Sequence, residues 1–207
     1  MTMNDNIDES GTVFLIDDDA GVRDSLGLLL SLKGVRTQPY ANAESFIETY
    51  RPDWPGCVLT DLRMPGMTGL ELQNVLRERR VDLPVVVLTA HGDVATARAA
   101  LKNGAFDFLE KPIDDVMLID VLRNALRADR ERRTAATSRS SADARMERLT
   151  GREREILALI AAGHQNREIA TQLGISPRTV EVHKARIMEK LECHSLAELI
   201  RMNLAAG

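Results

Sequence analysis

Residues 57–66 read CVLTDLRMPG, and the architecture of the first part of the chain can be inferred from them. Four apolar or β-branched residues follow one another without polar alternation, which is typical of a strand covered on both faces. Asp61 stands at the carboxyl end of this predicted strand, and the sequence MPG at residues 64–66 predicts a sharp turn. Open parallel α/β sheets bind their ligands at that edge. Asp61 is therefore the first candidate functional residue, and a carboxylate there can accept a phosphoryl group.

Apolar runs alternate with amphipathic stretches on both sides of this segment. The predicted strands are residues 12–16, 35–40, 57–60, 84–89 and 106–109, and the predicted helices are residues 20–32, 42–50, 70–80, 93–102 and 114–129. Such alternation predicts βαβ units. We therefore predict an α/β domain with a doubly wound, flavodoxin-like, five-stranded parallel sheet and helices on both faces.

The last 59 residues, 149–207, carry helical signals throughout. Capping boxes at residues 150–153 (TGRE) and 195–198 (SLAE) open two predicted helices, and Asn166 is the candidate N-cap of another. Ser176 followed by proline opens a fourth. The short sequence LGIS at residues 173–176 is typical of the turn in a helix-turn-helix. We predict a small all-α domain of four helices.

These patterns divide the chain into a disordered tail (1–10), an α/β domain (11–130), a linker (131–148) and a helical domain (149–207). Residues 134–142 read TAATSRSSA and contain no large apolar side chain, which indicates an irregular linker. The charged residues on both sides also permit the preceding helix to continue through it. Both alternatives stay open.

Composition restricts the class of protein. No apolar run is long enough to span a membrane, and the polar first ten residues do not resemble a signal peptide. The two cysteines lie far apart without metal-ligand spacing, which favours buried thiols and a cytoplasmic location without a membrane partner. Residues 1–130 hold 21 acidic against 14 basic residues, whereas residues 149–207 hold 7 against 8. The acidic first domain suits a cation; the near-neutral last domain does not by itself indicate nucleic-acid binding.

Polar side chains stand at the ends of four predicted strands. Asp17 and Asp18 follow the first strand, and parallel strands would bring them close to Asp61. Three carboxylates together favour a cation, and hard oxygen ligands favour Mg²⁺. Thr89 and Lys111 end the fourth and fifth strands, where a hydroxyl and an ammonium could bind a phosphoryl group. Each residue also has an ordinary explanation, such as helix capping or solvation, but their joint placement favours a site.

Residues 11–130 resemble the receiver domain of two-component response regulators in four motifs, namely IDDD (16–19), TDLRMPG (60–66), LTA (88–90) and EKP (110–112). The resemblance implies that a sensor histidine kinase phosphorylates Asp61. It also implies a set of supporting roles: Mg²⁺ held by Asp18, Asp61, the backbone carbonyl of Arg63 and, through water, Asp17; phosphoryl binding by Thr89 and Lys111; a switch formed by Thr89 and Phe108; and a cis bond before Pro112. In the family the face formed by residues 93–102 and the fifth strand often dimerises.

The predicted helix that begins at Pro177 has one apolar side and one narrow, basic side. The outward side suits a DNA major groove because its small residues permit close approach and its arginines can reach phosphates. Val182 could contact a thymine methyl, and Glu181 could accept from cytosine N4. Charge balance alone would equally permit an ordinary solvated helix.

Residues 149–207 resemble the LuxR/NarL-type DNA-binding domain in LTGRERE (149–155), NREIA (166–170) and ISPRTVEVH (175–183), and the whole chain resembles FixJ-like regulators. The candidate DNA contacts are Asn166, Arg178, Thr179, Glu181, Val182, Lys184, Ala185 and Arg186. In the family the last helix pairs two such domains on DNA. Leu196, Leu199 and Ile200 would form that contact here, with core packing as the alternative.

Together the two resemblances imply a phosphorylation-dependent transcriptional regulator rather than an enzyme. Its expected partners are a histidine kinase, a double-stranded DNA operator and a second copy of the chain, and RNA polymerase is a further candidate. One alternative is a DNA-binding regulator whose receiver is constitutively dimeric and independent of phosphorylation. Another is a phosphatase with Asp61 as nucleophile, but Arg63 stands where its general acid would be and does not release a proton at neutral pH.

Overall fold

The computed structural model of this protein describes residues 11–89, 101–102 and 104–205. The chain divides into two compact units, Met1–Arg133 and Thr134–Gly207. The predicted tail, most of the predicted helix at residues 93–102 and Ala90 of the LTA motif lie outside the described residues.

The first unit is built on a five-stranded parallel sheet. Its strands are β1 (Thr12–Ile16), β2 (Arg36–Tyr40), β3 (Gly56–Asp61), β4 (Val85–Thr89) and β5 (Asp107–Glu110), in the spatial order β2-β1-β3-β4-β5. The predicted sheet is confirmed, with strand boundaries within one residue of those inferred from the pattern. Because β3 is the middle strand, its carboxyl end lies between the ends of β1 and β4.

Side chains of β1, β3 and β4 alternate between two apolar cores, one on each face of the sheet. One core contains Val13, Leu15 and Leu59 with residues of the first and last helices of the unit. The other contains Phe14, Ile16 and Val58 with residues of the second and third helices. The absence of polar alternation in β3 therefore has its expected cause, since helices cover both faces.

The helices α1 (Ala20–Leu32), α2 (Ala43–Thr49) and α3 (Gly69–Glu78) lie within this unit, and α4 (Asp115–Glu147) begins in it. Asp19 caps α1 by accepting from the backbone N–H groups of Gly21 and Val22. Asp114 accepts from the Met117 N–H at the start of α4. These caps satisfy N–H groups that the first turn of a helix leaves without intrahelical partners.

Helix α4 is 33 residues long and continues without a break across the division between the two units. Residues 131–147 are helical, so the structure shows the continuous helix that the sequence left open and not an irregular linker. Residues 134–141 are all exposed. This part of the helix buries no large apolar side chain, so its sequence lacks the apolar pattern by which helices are predicted. For that reason its composition suggested a linker.

The second unit contains α5 (Gly151–Ala161), α6 (Asn166–Leu173), α7 (Pro177–Lys190) and α8 (Leu196–Ala205). Its buried core includes Ile156, Val180 and Ile187. Thr150 and Glu153 form the predicted capping box, and Ser176 caps α7. The prediction that Asn166 is an N-cap was wrong: Gln165 occupies that position, and Asn166 is the first helical residue. Among the described helices, none combines the length and apolar character required to cross a membrane.

Candidate functional site

Asp17, Asp61 and Lys111 meet at the carboxyl edge of the sheet. The Lys111 ammonium donates to Asp61 Oδ1 at 2.6 Å and to Asp17 Oδ2 at 3.1 Å. Asp17 is 2% exposed and Asp61 8% exposed. The parallel topology thus brings Lys111 into direct contact with Asp17 and Asp61, which precede it in the sequence by 94 and 50 positions.

Two largely buried carboxylates share one ammonium, so these three side chains carry a net charge of −1 when all are ionised. Burial tends to lower the pKa of Lys111, but the hydrogen bonds and negative charges of Asp61 and Asp17 outweigh it and raise that pKa above its usual value. Lys111 therefore remains charged at neutral pH. The site keeps an excess of negative charge that a further cation could neutralise.

The carboxylate of Asp61 is oriented from two sides. Its Oδ1 accepts from Lys111, and its Oδ2 accepts from the backbone N–H of Arg63 at 2.7 Å. The next residue, Leu62, continues the strand pairing by donating its N–H to the Leu88 carbonyl at 2.7 Å. A side chain at Gly69, the first residue of α3, would place Cβ 2.5 Å from the Asp61 carbonyl oxygen. The backbone on both sides of Asp61 is consequently close-packed.

The three carboxylates predicted to meet here do not form a three-residue cluster. Asp18 is exposed, and no group of three His, Cys, Asp or Glu side chains suited to a metal is found within residues 11–89, 101–102 and 104–205. Asp17 Oδ1 accepts from the Asp19 N–H, and Asp19 caps α1. The chain turns from β1 into α1 at this point, which directs consecutive carboxylates to different surroundings.

The donor set nevertheless fits a hard divalent cation. Two carboxylates from different strands converge, the adjacent Asp18 is accessible, and their combined charge exceeds that of the one lysine between them. Oxygen ligands of this kind and room for water are what Mg²⁺ requires.

Thr89 and Phe108 lie on the strands beside the acidic group. Thr89 is buried at the end of β4, and its carbonyl accepts from the Lys111 N–H at 2.6 Å. Phe108 is half-buried and packs against the core of the face that holds α2 and α3. The Lys111–Pro112 bond is cis. Of the acidic residues predicted for this edge, Asp17 and Asp61 contact Lys111, whereas Asp18 is exposed.

A second buried carboxylate, which the sequence analysis missed, lies at the opposite edge of the sheet. Asp129 of α4 is 1% exposed and accepts from the Gly56 N–H, from Arg132 and from Arg133. Arg133 also donates to the carbonyls of Pro52 and Trp54. A signal existed: Asp129 continues the apolar spacing of Leu118, Leu122 and Leu126 on α4. A charged residue at such a position indicates a buried ion pair.

In the second unit, α7 presents the sides that its helical spacing predicts. Val180 and Ile187 are fully buried, whereas Val182 is 45% exposed. Of the predicted DNA contacts, Arg178, Glu181, Val182, Ala185 and Arg186 are exposed, and Asn166, Thr179 and Lys184 are half-buried. The outward side therefore exposes the small apolar Val182 and Ala185 together with the charged Arg178, Glu181 and Arg186.

The three residues predicted to pair two such domains lie on α8 and differ in exposure. Leu199 of α8 is fully buried in the core, while Leu196 is 43% exposed and Ile200 half-buried. For Leu199 the core-packing alternative is therefore the observed one.

Glu153 is buried, and it accepts from Lys190 at 2.7 Å and from the Thr150 N–H at 2.8 Å. Burial would raise the pKa of Glu153, but these hydrogen bonds lower it to about 2.

Comparison with known families divides the chain in the same way. The response regulator receiver domain family matches residues 13–123, and the bacterial regulatory proteins of the luxR family match residues 147–203. The transcriptional regulatory protein FixJ of Azorhizobium caulinodans is 45% identical over 199 residues, covering 96% of this chain and 94% of that protein. The C4-dicarboxylate transport regulator DctR of Rhodobacter capsulatus is 40% identical, covering 93% and 99%.

Solved structures lead to the same families. The response regulator StyR is 40% identical, with a TM-score of 0.84 over 94% of this chain and 98% of that one. Full-length FixJ from B. japonicum is 38% identical, with a TM-score of 0.59 over 95% and 97%.

Proposed function

Because this chain belongs to the FixJ-like response regulators, which join a receiver domain to a LuxR-type DNA-binding domain, we propose that Asp61 is the phosphoryl acceptor of a phosphorylation-dependent transcriptional regulator. The observation that carries the assignment is the pairing of Asp61 with Lys111 beside Asp17 at the carboxyl edge of the sheet. This carboxylate is oriented by two donors and lies next to uncompensated negative charge.

The transfer is a substitution at phosphorus. An oxygen of Asp61 forms a bond to the phosphorus while the P–N bond to the donor histidine of the kinase breaks, and the imidazole takes the electron pair. Lys111 neutralises one negative charge of the arriving group, and the Thr89 hydroxyl supplies a hydrogen bond to it. Positioning and electrostatics are sufficient for such a reaction.

Receiver domains generally bind Mg²⁺ at the phosphorylation site, and we assign the ion to this edge of the sheet. The candidate ligands are Asp17, Asp18, Asp61 and the backbone carbonyl of Arg63. The ion would supply the positive charge that the two buried carboxylates and Lys111 lack. Phe108, half-buried next to this edge, is the candidate aromatic of the switch, together with Thr89.

The output of the switch is DNA binding by α7. Arg178 and Arg186 are the candidate phosphate contacts, and Val182 and Glu181 are candidate base contacts. The near-neutral charge of residues 149–207 implies weak binding by one domain, so two linked domains on a two-half-site operator would bind much more tightly. Phosphorylation would then act by promoting a dimer. Leu196 and Ile200 are the members of the predicted α8 contact that remain accessible for it.

A protein of this kind works in the cytoplasm with a histidine kinase and operator DNA as partners. RNA polymerase is a further candidate partner. The regulator itself is not a phosphatase of small substrates. Arg63 stands where the general acid of a phosphatase would be, and it holds Asp61 through its backbone N–H. The domain limits that go with this function are 11–130 and 149–207, joined by the helical residues of α4.

The experiment is sedimentation velocity of wild type and Asp61→Asn, with and without Mg²⁺ and beryllofluoride. A shift from monomer to dimer in wild type only is expected, because the asparagine cannot form the acyl-phosphate analogue. A dimer under all conditions would favour the alternative of a constitutively dimeric, phosphorylation-independent receiver. A monomer under all conditions would overturn dimerisation as the output of the switch.

A further inference from the structure

The segment between Asp61 and α3 is tied to a neighbouring helix by one carboxylate. Glu44, in the first turn of α2, accepts from the backbone N–H of Met67 at 2.9 Å through Oε1. Residues 62–68 have no regular secondary structure. Leu62 still pairs with Leu88 of β4, but beyond it a hydrogen bond from another helix restrains a stretch that belongs to neither a helix nor a strand.

The helix that carries Glu44 is held in place by core packing and by an N-cap. The neighbouring residues Ala43 and Phe46 are fully buried in the core of that face, and Asn42 caps the helix through the Ser45 N–H. Glu44 itself is exposed. The packing of α2 therefore fixes the backbone of Glu44, and its exposed side chain extends to the segment that contains Met67.

Gly66 makes the contact possible. Its φ is +78°, and a Cβ atom there would lie 2.7 Å from Glu44 Oε1. A side chain at this position would have to displace the carboxylate that holds Met67. The turn sequence MPG thus serves two purposes, since it reverses the chain and leaves room for Glu44.

The same segment orients Asp61. The Arg63 N–H donates to Asp61 Oδ2, and the side chains of Leu62 and Met64 are buried on either side of it. The segment is closed at its base by the Gly69 N–H, which donates to the Leu62 carbonyl at 3.1 Å. Glu44 holds the outer half, four residues beyond Arg63.

We propose that Glu44 is a positioning residue for phosphoryl transfer to Asp61, acting through Met67 and Arg63. This inference rests on the proposed function of Asp61. Without the Glu44 bond the segment would sample more conformations, and the Arg63 N–H would hold Asp61 Oδ2 in the reactive orientation for a smaller fraction of the time. Loss of orientation lowers the rate of the chemical step without removing any reacting group.

A purely electrostatic role for Glu44 predicts the opposite result. Glu44 is a negative charge bound to the segment that follows Asp61, and the site must receive an anionic phosphodonor, so neutralising Glu44 would by charge alone accelerate the reaction. Glutamine keeps the acceptor oxygen for Met67 but removes the charge, whereas alanine removes both. Comparing Glu44→Gln with Glu44→Ala therefore separates the two roles.

The experiment measures acyl-phosphate formation in the full chain by intact mass, with acetyl phosphate as donor and Mg²⁺ present. At saturating donor we expect Glu44→Ala to react about fivefold more slowly than wild type, the effect of losing one hydrogen bond, with an unchanged half-saturating donor concentration. Glu44→Gln should stay within about twofold of wild type. Glu48→Ala, one turn along the same helix and also exposed, is the charge-matched control and should equal wild type.

Two outcomes would overturn the inference: a Glu44→Ala rate equal to or above that of wild type, or a Glu44→Gln rate as low as that of Glu44→Ala. Asp61→Asn distinguishes this failure from failure of the proposed function. If wild type is not modified, or if Asp61→Asn is modified equally, Asp61 is not the acceptor. If wild type is modified at Asp61 and Glu44→Ala matches it, only the role of Glu44 is lost.

Discussion

The two ends of β3 both meet a buried aspartate, but the charges around them are balanced in opposite ways. At the carboxyl end, Asp61 and Asp17 share the single ammonium of Lys111. At the amino end, Asp129 alone receives two guanidinium groups, from Arg132 and Arg133, and the Gly56 N–H. Among the buried carboxylates and their direct partners, the carboxyl end has two acids on one base, whereas the amino end has one acid on two bases, of which Arg132 also lies 3.7 Å from the exposed Asp82.

Under the proposed function, this difference separates a site that binds a ligand from an ion pair that stabilises the fold. A carboxylate with more donors than it needs gains little from a ligand, whereas two carboxylates on one ammonium gain from any added cation. The amino end fastens α4 to the loop before β3 through the Pro52 and Trp54 carbonyls. The carboxyl end keeps two carboxylates on one ammonium, which agrees with the proposed phosphoryl transfer assisted by a cation.

The largest expected effect on stability is at the amino end. Asp129→Asn removes a 1%-exposed charge that faces two arginines and should lower the free energy of unfolding of the receiver by about 2–3 kcal/mol. Urea unfolding of the full chain, followed by the fluorescence of Trp54, the single tryptophan, measures it. Glu131→Gln, exposed on the same helix, is the control. Equal stability of Asp129→Asn and the control would remove the contrast between the two ends.

A smaller effect is expected at Glu153, whose one-to-one pairing with Lys190 leaves no excess of negative charge, unlike the carboxyl end of β3. Its lowered pKa, about 2, means that its contribution is complete above the unfolded-state value of about 4.5 and is lost as pH falls towards 2. Glu153→Gln should be less stable than wild type by about 1.5 kcal/mol at pH 7, with the difference vanishing near pH 2.

The urea midpoint of the methyl NMR signals of the buried Ile156 and Ile187 in the full chain measures this difference. Glu155→Gln, whose exposed carboxylate pairs with Arg152, serves as the matched control and should change little at any pH. A constant gap between Glu153→Gln and wild type from pH 7 to pH 2 would contradict the assigned pairing.

Asp61→Asn should change the free energy of unfolding in the opposite direction from Asp129→Asn. Removing one of two carboxylates that share Lys111 relieves their repulsion, so the receiver should be unchanged or more stable by up to about 1 kcal/mol in metal-free buffer. Mg²⁺ should then stabilise wild type more than the variant. Trp54 fluorescence reports both. A clear loss of stability in Asp61→Asn without metal would mean that the carboxyl end is balanced as well.

The smallest effect is expected at Arg63, where the backbone and not the side chain holds Asp61. Arg63→Ala keeps the N–H and should be phosphorylated by acetyl phosphate within about twofold of the wild-type rate. Intact mass over time measures the rate. A tenfold decrease would show that the exposed guanidinium takes part in binding the phosphodonor.

The sequence was sufficient for the strand-end residues but not for their partners. Asp17, Asp61, Thr89 and Lys111 each follow a recognisable apolar run, so their common edge could be predicted. That Asp17 and not Asp18 shares Lys111 depends on how the chain turns into α1. Glu44 left no local signal, because nothing in the sequence of α2 indicates which loop its side chain reaches.

Repeating apolar runs by themselves determined a parallel sheet with an acidic functional edge, because strand and helix periods are properties of neighbouring residues. Only the tertiary structure decided the contacts of Lys111 with Asp61, of Glu44 with Met67 and of Asp129 with Gly56. These pairs are 50, 23 and 73 residues apart. They form because the strand order β2-β1-β3-β4-β5 and the packing of helices on both faces bring distant residues together, and local periodicity does not specify that order.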